Sequence, residues 1–271
     1  MPLSRPPKDL LRPFVRQLWV SDGGGARSGG SGREMMLPSV SPHLVLRLAE
    51  NPLRIFWNRD DAEGFTVSAA VIGGPRSAPY VKDTSQPVAT VGAVLTPGAA
   101  GLLLGAPAKQ FSGRHTALED VWGVAPVAEL RQRMWAARSA SCRLDLFEAA
   151  LVARLPRLRG IDPMIARALA GFEAGASVGA VVGQSDYSHR HFVRRFTESV
   201  GLKPKTYCRL LRFGRVLDRL AAGPSETAAD LAAEAGYADQ AHLTREFRRF
   251  ADLSPGRYRR MAPRFARHVA L

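Results

Sequence analysis

Three observations lead us to expect an α+β chain in two parts, a small β-barrel or sandwich with flanking helices followed by an all-helical half. Residues 14–96 hold short β-rich runs separated by Gly, Pro, Asn and Asp. After Pro97 the apolar positions fall three and four apart, the helical spacing. Beyond residue 160 a stretch of about fifty residues occurs twice.

The runs of the first part are Phe14 to Val20, His43 to Leu48, Leu53 to Trp57, Val67 to Ile72 and Val88 to Leu95. In the second of them Leu44, Leu46 and Leu48 alternate with Val45 and Arg47, the pattern of a strand with one face inward. The glycine-rich Gly23 to Gly32 lacks the lysine of a phosphate-binding loop and opens no helix, so it reads as a flexible hairpin loop. Helices follow. Pro126 to Arg138 puts Val127, Leu130 and Met134 on one face, and Leu144, Phe147 and Leu151 repeat that spacing. Pro156 to Gly160 reads as a linker, which divides the chain into 1–160 and 161–271, and Asp162 and Pro163 suit an N-cap and first helical position. No strand is expected from there to residue 271.

At 271 residues, 46% hydrophobic and 23% charged, the composition is that of a globular chain with room for two domains of ~100–200 residues. No apolar run approaches the ~20 residues of a membrane span, and the start of the sequence has no apolar signal core. Cys142 and Cys208 cannot build a disulfide framework. A cytoplasmic protein with no membrane contact is the expectation. The net charge of +14 and pI near 10.9 favour a polyanionic partner, because basic side chains that neutralise phosphates release counterions. The excess divides evenly between the two parts, but only in the second do arginines recur at helical spacing, as Arg190, Arg194 and Arg195 and as Arg245, Arg248 and Arg249.

The repeat is the most informative feature. Ser177 to Tyr187 aligns with Thr227 to Tyr237, and His191 to Phe196 with His242 to Phe247 after one inserted residue; Pro204 and Tyr207 then match Pro255 and Tyr258. Each copy reads as a capped helix, a tight turn, and a second helix starting near Ser188 or Asp239, which is a helix-turn-helix plan. Phe192 and Phe196, like Leu243 and Phe247, stand at i and i+4 and point at one core. The opposite faces then show His189, Arg190, Val193, Arg194 and Thr197 in one copy and Gln240, Ala241, Thr244, Arg245 and Arg248 in the other. Arginine pairs with guanine, glutamine with adenine, and Thr or Val methyls touch the thymine methyl. A basic stripe on one helix is most often plain solvated surface; two copies with the same buried pattern weigh against that. A long helix from Pro204 to about Ala222 joins them, with Tyr207, Leu210, Leu211, Leu217 and Leu220 inward and Arg209, Arg212 and Arg215 largely outward. Such a spacer suits two recognition helices in consecutive major grooves, roughly 34 Å apart.

These residues resemble the AraC/XylS transcription regulators over about residues 162–262, most strongly in AADLAAEAGYADQAHLTREFRRFADLSPGRYRR from Ala228 to Arg260. The resemblance implies a sequence-specific regulator that is not an enzyme, with double-stranded DNA as partner, a small-molecule effector, a homodimer and RNA polymerase as further partners, and no cofactor. Its base-facing positions fall on Arg190, Val193 and Arg194 in the first copy and on Gln240, Thr244 and Arg245 in the second. Asp186 departs from the pattern, standing where the second copy has Gly236. Asp accepts the left-handed conformation less readily, so a differently shaped or less stable first turn is expected. The first part is similar to the cupin-like sensor domain of some of these regulators through LPSVSPHLVLRL, TPGAAGLLLGAP and LEDVWG.

Other chemistry finds little support. His43 and His115 are far apart, and His189 and His191 at i and i+2 on a helix point in different directions, so no metal set is expected. Neither cysteine sits in a motif that would mark a nucleophile, the feature required by the rival reading, an enzyme or alkyl-transfer repair protein with the same DNA-binding module. A ligand-sensing module without DNA binding is the third reading. Of the aromatic group Phe14, Trp19, Phe56, Trp57, Phe65 and Trp122, each is expected in the core rather than in a pocket.

Overall fold

The computed structural model describes residues 3–23, 32–156, 160–223 and 227–271. The body of the glycine-rich loop and the middle of the expected linker lie outside these residues. In chain order the strands are β1 (Leu3–Arg5), β2 (Val15–Ser21), β3 (Arg33–Met36), β4 (His43–Arg47), β5 (Leu53–Phe56), β6 (Phe65–Val67), β7 (Ala70–Gly73), β8 (Tyr80–Asp83), β9 (Thr90–Leu95), β10 (His115–Ala117) and β11 (His268–Ala270). The first four α-helices are α1 (Ala100–Leu104), α2 (Glu119–Trp122), α3 (Val124–Ala136) and α4 (Ala140–Val152). Then come α5 (Pro163–Glu173), α6 (Val178–Gly183), α7 (His189–Val200), α8 (Pro204–Ala222), α9 (Ala228–Glu234), α10 (Gln240–Ala251) and α11 (Pro255–Met261).

The strands form two open antiparallel sheets, one ordered β1-β2-β9-β4-β7-β10 and the other β11-β3-β8-β5-β6. Alternation of side chains gives each sheet its neighbours. In the first, Leu18, Leu44, Leu46, Ile72, Val91 and Ala93 are buried in a core shared with Leu103, Val127, Met134, Leu144 and Phe147 of the helices that follow, so α1 to α4 buttress this sheet. In the second, Met35, Phe56 and Val81 lie in register with one another and join the core of the helical half, while Ile55 and Tyr80 face the other way. Tyr80 meets His115 of the first sheet edge-on, with ring centroids 4.5 Å apart. The second sheet is therefore the middle layer, with the first sheet on one side and helices of the carboxy-terminal half on the other.

Two expectations need correcting. The run Val67 to Ile72 is two strands, β6 and β7, which belong to different sheets, so the chain changes layer at Ser68 and Ala69. The far end of the sequence is not all helix either: β11 pairs antiparallel with β3, His268 to Met36 and Ala270 to Glu34. Arg267 anchors this return by donating to the Pro38 carbonyl at 2.6 Å, and Glu34 receives Lys82 at 2.7 Å and His268 at 3.2 Å. Arg16 on β2 pairs with Glu173 at the end of α5 at 2.7 Å. Gly201, with φ +85°, caps α7 so close to the first part that an added Cβ would stand 2.7 Å from Pro75 Cγ and 3.0 Å from the Ala108 carbonyl oxygen.

Candidate nucleic-acid interface

Each helix-turn-helix unit is built from local signals that the sequence carries twice. Ser177 and Thr227 cap α6 and α9 by accepting from the backbone three residues on, and Thr227 forms a reciprocal capping box with Asp230. Ser188 and Asp239 cap α7 and α10 in the same way, receiving the amides of His191 and His242. The apolar stripe of α7 and α10 goes inward: Phe192, Phe196, Leu243 and Phe247 are all fully or almost fully buried. Phe196 packs edge-on against Phe172 and Tyr207, and Phe247 against Phe213 and Tyr258, so each second helix is seated by aromatic rings from the helices around it.

With that face fixed, helical geometry sets the other. Arg190, Arg194, Gln240 and Arg245 are exposed, and Val193 and Thr244 are half-buried beside them. Val193 leans partly on the core, and its carbonyl receives the Thr197 hydroxyl at 2.7 Å. Among the described residues Arg194 reaches only the ring of His191, at 3.4 Å. Arg195, one residue on, is turned away to Asp162, the N-cap of α5, at 2.5 Å.

The two turns differ. Gly236 has φ +79°, and Tyr237 after it is buried with its amide on the Ala232 carbonyl. Asp186 does not enter the left-handed region; Ser185 instead bonds Val182 through both its amide and its hydroxyl. Tyr187 consequently stands 38% exposed, against 6% for Tyr237, and stacks flat on His191 with centroids 4.8 Å apart. The first turn is thus a different shape, in keeping with the lower tolerance of Asp than of Gly for the left-handed conformation.

Helix α8 does more than separate the units, and of the three arginines expected largely outward Arg209 and Arg212 are half-buried. Arg209 forms a two-pronged bond to Glu246 of α10, at 2.6 and 2.7 Å, largely out of solvent. The Arg209 guanidinium holds the Glu246 carboxyl below its ordinary value. Arg212 donates to the Gly236 carbonyl at 3.0 Å and covers the Tyr237 ring, and Arg215 donates to the Glu173 carbonyl at 2.6 Å. Only Arg215 is exposed. Arg209 and Arg212 orient α10 and its turn from behind. The signal the sequence carries for them is their spacing of three on a helix whose next face is apolar.

The remaining candidates are scattered. Cys142 is exposed on α4, and Cys208 is half-buried on α8, where burial pushes its thiol up. Among the described residues no group of three or more His, Cys, Asp or Glu is placed to hold a metal, and no helix is long and apolar enough to cross a membrane. Phe14, Phe56 and Trp122 are buried as expected, but Trp57 is 69% exposed and lines, with Phe65, a cavity between the sheets.

Residues 182–261 match the family described as "Helix-turn-helix domain", and residues 4–117 match "Domain of unknown function (DUF6597)". Among solved structures, a transcriptional regulator described as AraC-type from Chromobacterium violaceum aligns with 38% of this chain and 94% of its own at 21% identity and a TM-score of 0.35. ToxT from Vibrio cholerae aligns with 95% of this chain and 97% of its own at 9% identity and a TM-score of 0.46. No curated protein matches the chain.

Proposed function

We propose that the carboxy-terminal half of this chain is an AraC/XylS-type helix-turn-helix domain, the DNA-binding part of a transcription regulator. Arg190, Val193 and Arg194 on α7 and Gln240, Thr244 and Arg245 on α10 make the base contacts, in two neighbouring major grooves of one duplex. The observation that carries this is the paired burial of Phe192 with Phe196 and of Leu243 with Phe247, which leaves the same helical face outward in both copies. The surrounding basic residues bind phosphate and supply most of the affinity, which falls with salt. Residues 1–160 act as the effector and pairing domain, residues 161–271 as the reader, and the protein works in the cytoplasm as a homodimer that contacts RNA polymerase.

The test is a gel-shift titration on duplex selected by the protein from a random pool. Arg245→Ala and Arg194→Ala are each expected to cost about 1–3 kcal/mol on the selected site and to relax base preference at one position. Unchanged affinity in both variants refutes the assigned face.

A further inference from the structure

Between the two sheets lies a cavity of about 350 Å³, within the range of about 300–1,000 Å³ common for small-molecule sites. Its wall carries Ile55, Trp57, Phe65, Tyr80, His115 and the side chain of Arg76. Arg76 is only 8% exposed. Its guanidinium lies over the Tyr80 ring at 4.1 Å, and one terminal nitrogen donates to the Arg114 carbonyl at 3.1 Å and sits 3.3 and 3.4 Å from the ring nitrogens of His115. Its Nε is buried with no hydrogen-bond partner.

Among the described residues no carboxylate pairs with Arg76. Arg212 and Arg267 are half-buried and likewise have a backbone carbonyl in place of a carboxylate, but of these three only Arg76 lines this cavity. The two histidines nearby do not offset it. Burial, together with the Arg76 charge, lowers His43 to about 3 and His115 to about 2, so both stay neutral. A guanidinium out of water without a counter-charge is costly, and its planar fork fits a carboxylate through two parallel bonds. At the mouth, Trp57 and Phe65 pack with ring centroids 4.8 Å apart, and Trp57 leaves most of its surface to solvent.

We infer that this cavity is a binding site for a small organic carboxylate with an apolar, preferably flat body, whose acid group pairs with Arg76 and whose body lies against Trp57, Phe65 and Ile55. This deepens the effector-binding role proposed above and rests on it only for what the ligand does. The anchor is well placed to be felt elsewhere, since Pro75, the preceding residue, lies so near Gly201 at the cap of α7 that an added Cβ would stand 2.7 Å from its Cγ.

Ligand-observed NMR on the full chain, with benzoate, cinnamate, 4-phenylbutyrate and octanoate each beside its primary amide, tests the inference. At least one acid is expected to bind ten-fold or more tightly than its amide, and Arg76→Met is expected to erase that preference while leaving residual binding of the amide. Equal binding of acids and amides, failure of all four acids, or an undiminished preference in Arg76→Met overturns it, as does phenyl phosphate binding more tightly than every acid. The acid-to-amide ratio on the unaltered chain keeps the test decisive should Arg76→Met not fold. A gel shift with the selected duplex separates the two readings. A chain that binds DNA but no acid loses this site and keeps its regulatory role. One that binds acids through Arg76 but no DNA keeps the site and loses that role.

Discussion

Replacing Gly201 by alanine tests whether the two parts of the chain are packed together at the base of α7. The substitution meets two separate obstacles. At φ +85° an L-residue pays about 1–2 kcal/mol for the left-handed conformation. The new Cβ would also stand 2.7 Å from Pro75 Cγ and 3.0 Å from the Ala108 carbonyl oxygen, and relieving such overpacking costs about 1–3 kcal/mol. Gly175 supplies the control, because it has φ +91° and nothing within 4 Å of the position a Cβ would take. Gly175→Ala should therefore lose about 1–2 kcal/mol, and Gly201→Ala about 2–5 kcal/mol. Urea unfolding of the full chain followed by circular dichroism gives both values from the midpoints at unchanged slope. A new transition at lower urea in Gly201→Ala alone reports the same crowding as a parting of the two halves. Equal losses in the two variants, within about 0.5 kcal/mol and with no added transition, refute the close contact between α7 and the loops at Pro75 and Ala108.

The remaining predictions concern charge. Arg209→Met or Glu246→Gln should each destabilise by about 2–3 kcal/mol, since either leaves a largely buried charged or polar partner without its bond, and the double variant should lose less than the sum. Both should also weaken DNA binding through α10 without touching a base; an additive double variant in the urea midpoint contradicts the pairing. For acid, burial pushes Glu34 up, but the His268 hydrogen bond and the Lys82 charge outweigh it and hold the carboxyl at about 2, against an ordinary 4.5. A depressed acid stabilises above its unfolded value and loses that contribution as pH falls, so wild type should shed up to about 3 kcal/mol between pH 4.5 and 2, less what solvent screening removes. Glu34→Gln should flatten that part of the curve, and identical acid limbs in the two proteins would falsify the assignment.

What the sequence reveals and what it hides follow from the range of the interactions. The caps at Ser177, Ser188, Thr227 and Asp239 and the stripe of Phe192, Phe196, Leu243 and Phe247 are local patterns, and each stands where its spacing predicts. Strands β2, β4, β5 and β9 announce themselves by β-rich runs. The short β1, β3, β8, β10 and β11 do not, because three or four residues without a β-rich run around them take a strand's character from the partner they lie beside. The same reason hides the pair Arg209 and Glu246, 37 residues apart, and the approach of His43 and His115, which both lie opposite Gly73. Trp57 and Phe65 read as core because composition cannot tell an aromatic wall from an aromatic interior. The six positions proposed to read bases are legible as the face opposite the apolar stripe, and the structure adds the arginines that brace α10 and its turn from behind.

The strand made by residues 268–270 gives the molecule an order of assembly. During synthesis β3 leaves the ribosome well before residues 268–270, and among the described residues it has no neighbour on its outer side until they have emerged. The nascent protein must carry a bare sheet edge through the making of helices α1 to α11, with the solubility risk such edges bring. Severing the chain near residue 160 to study the pieces separately would make that transient condition permanent, so a poorly behaved amino-terminal fragment would report a missing zipper tooth rather than an unstable domain.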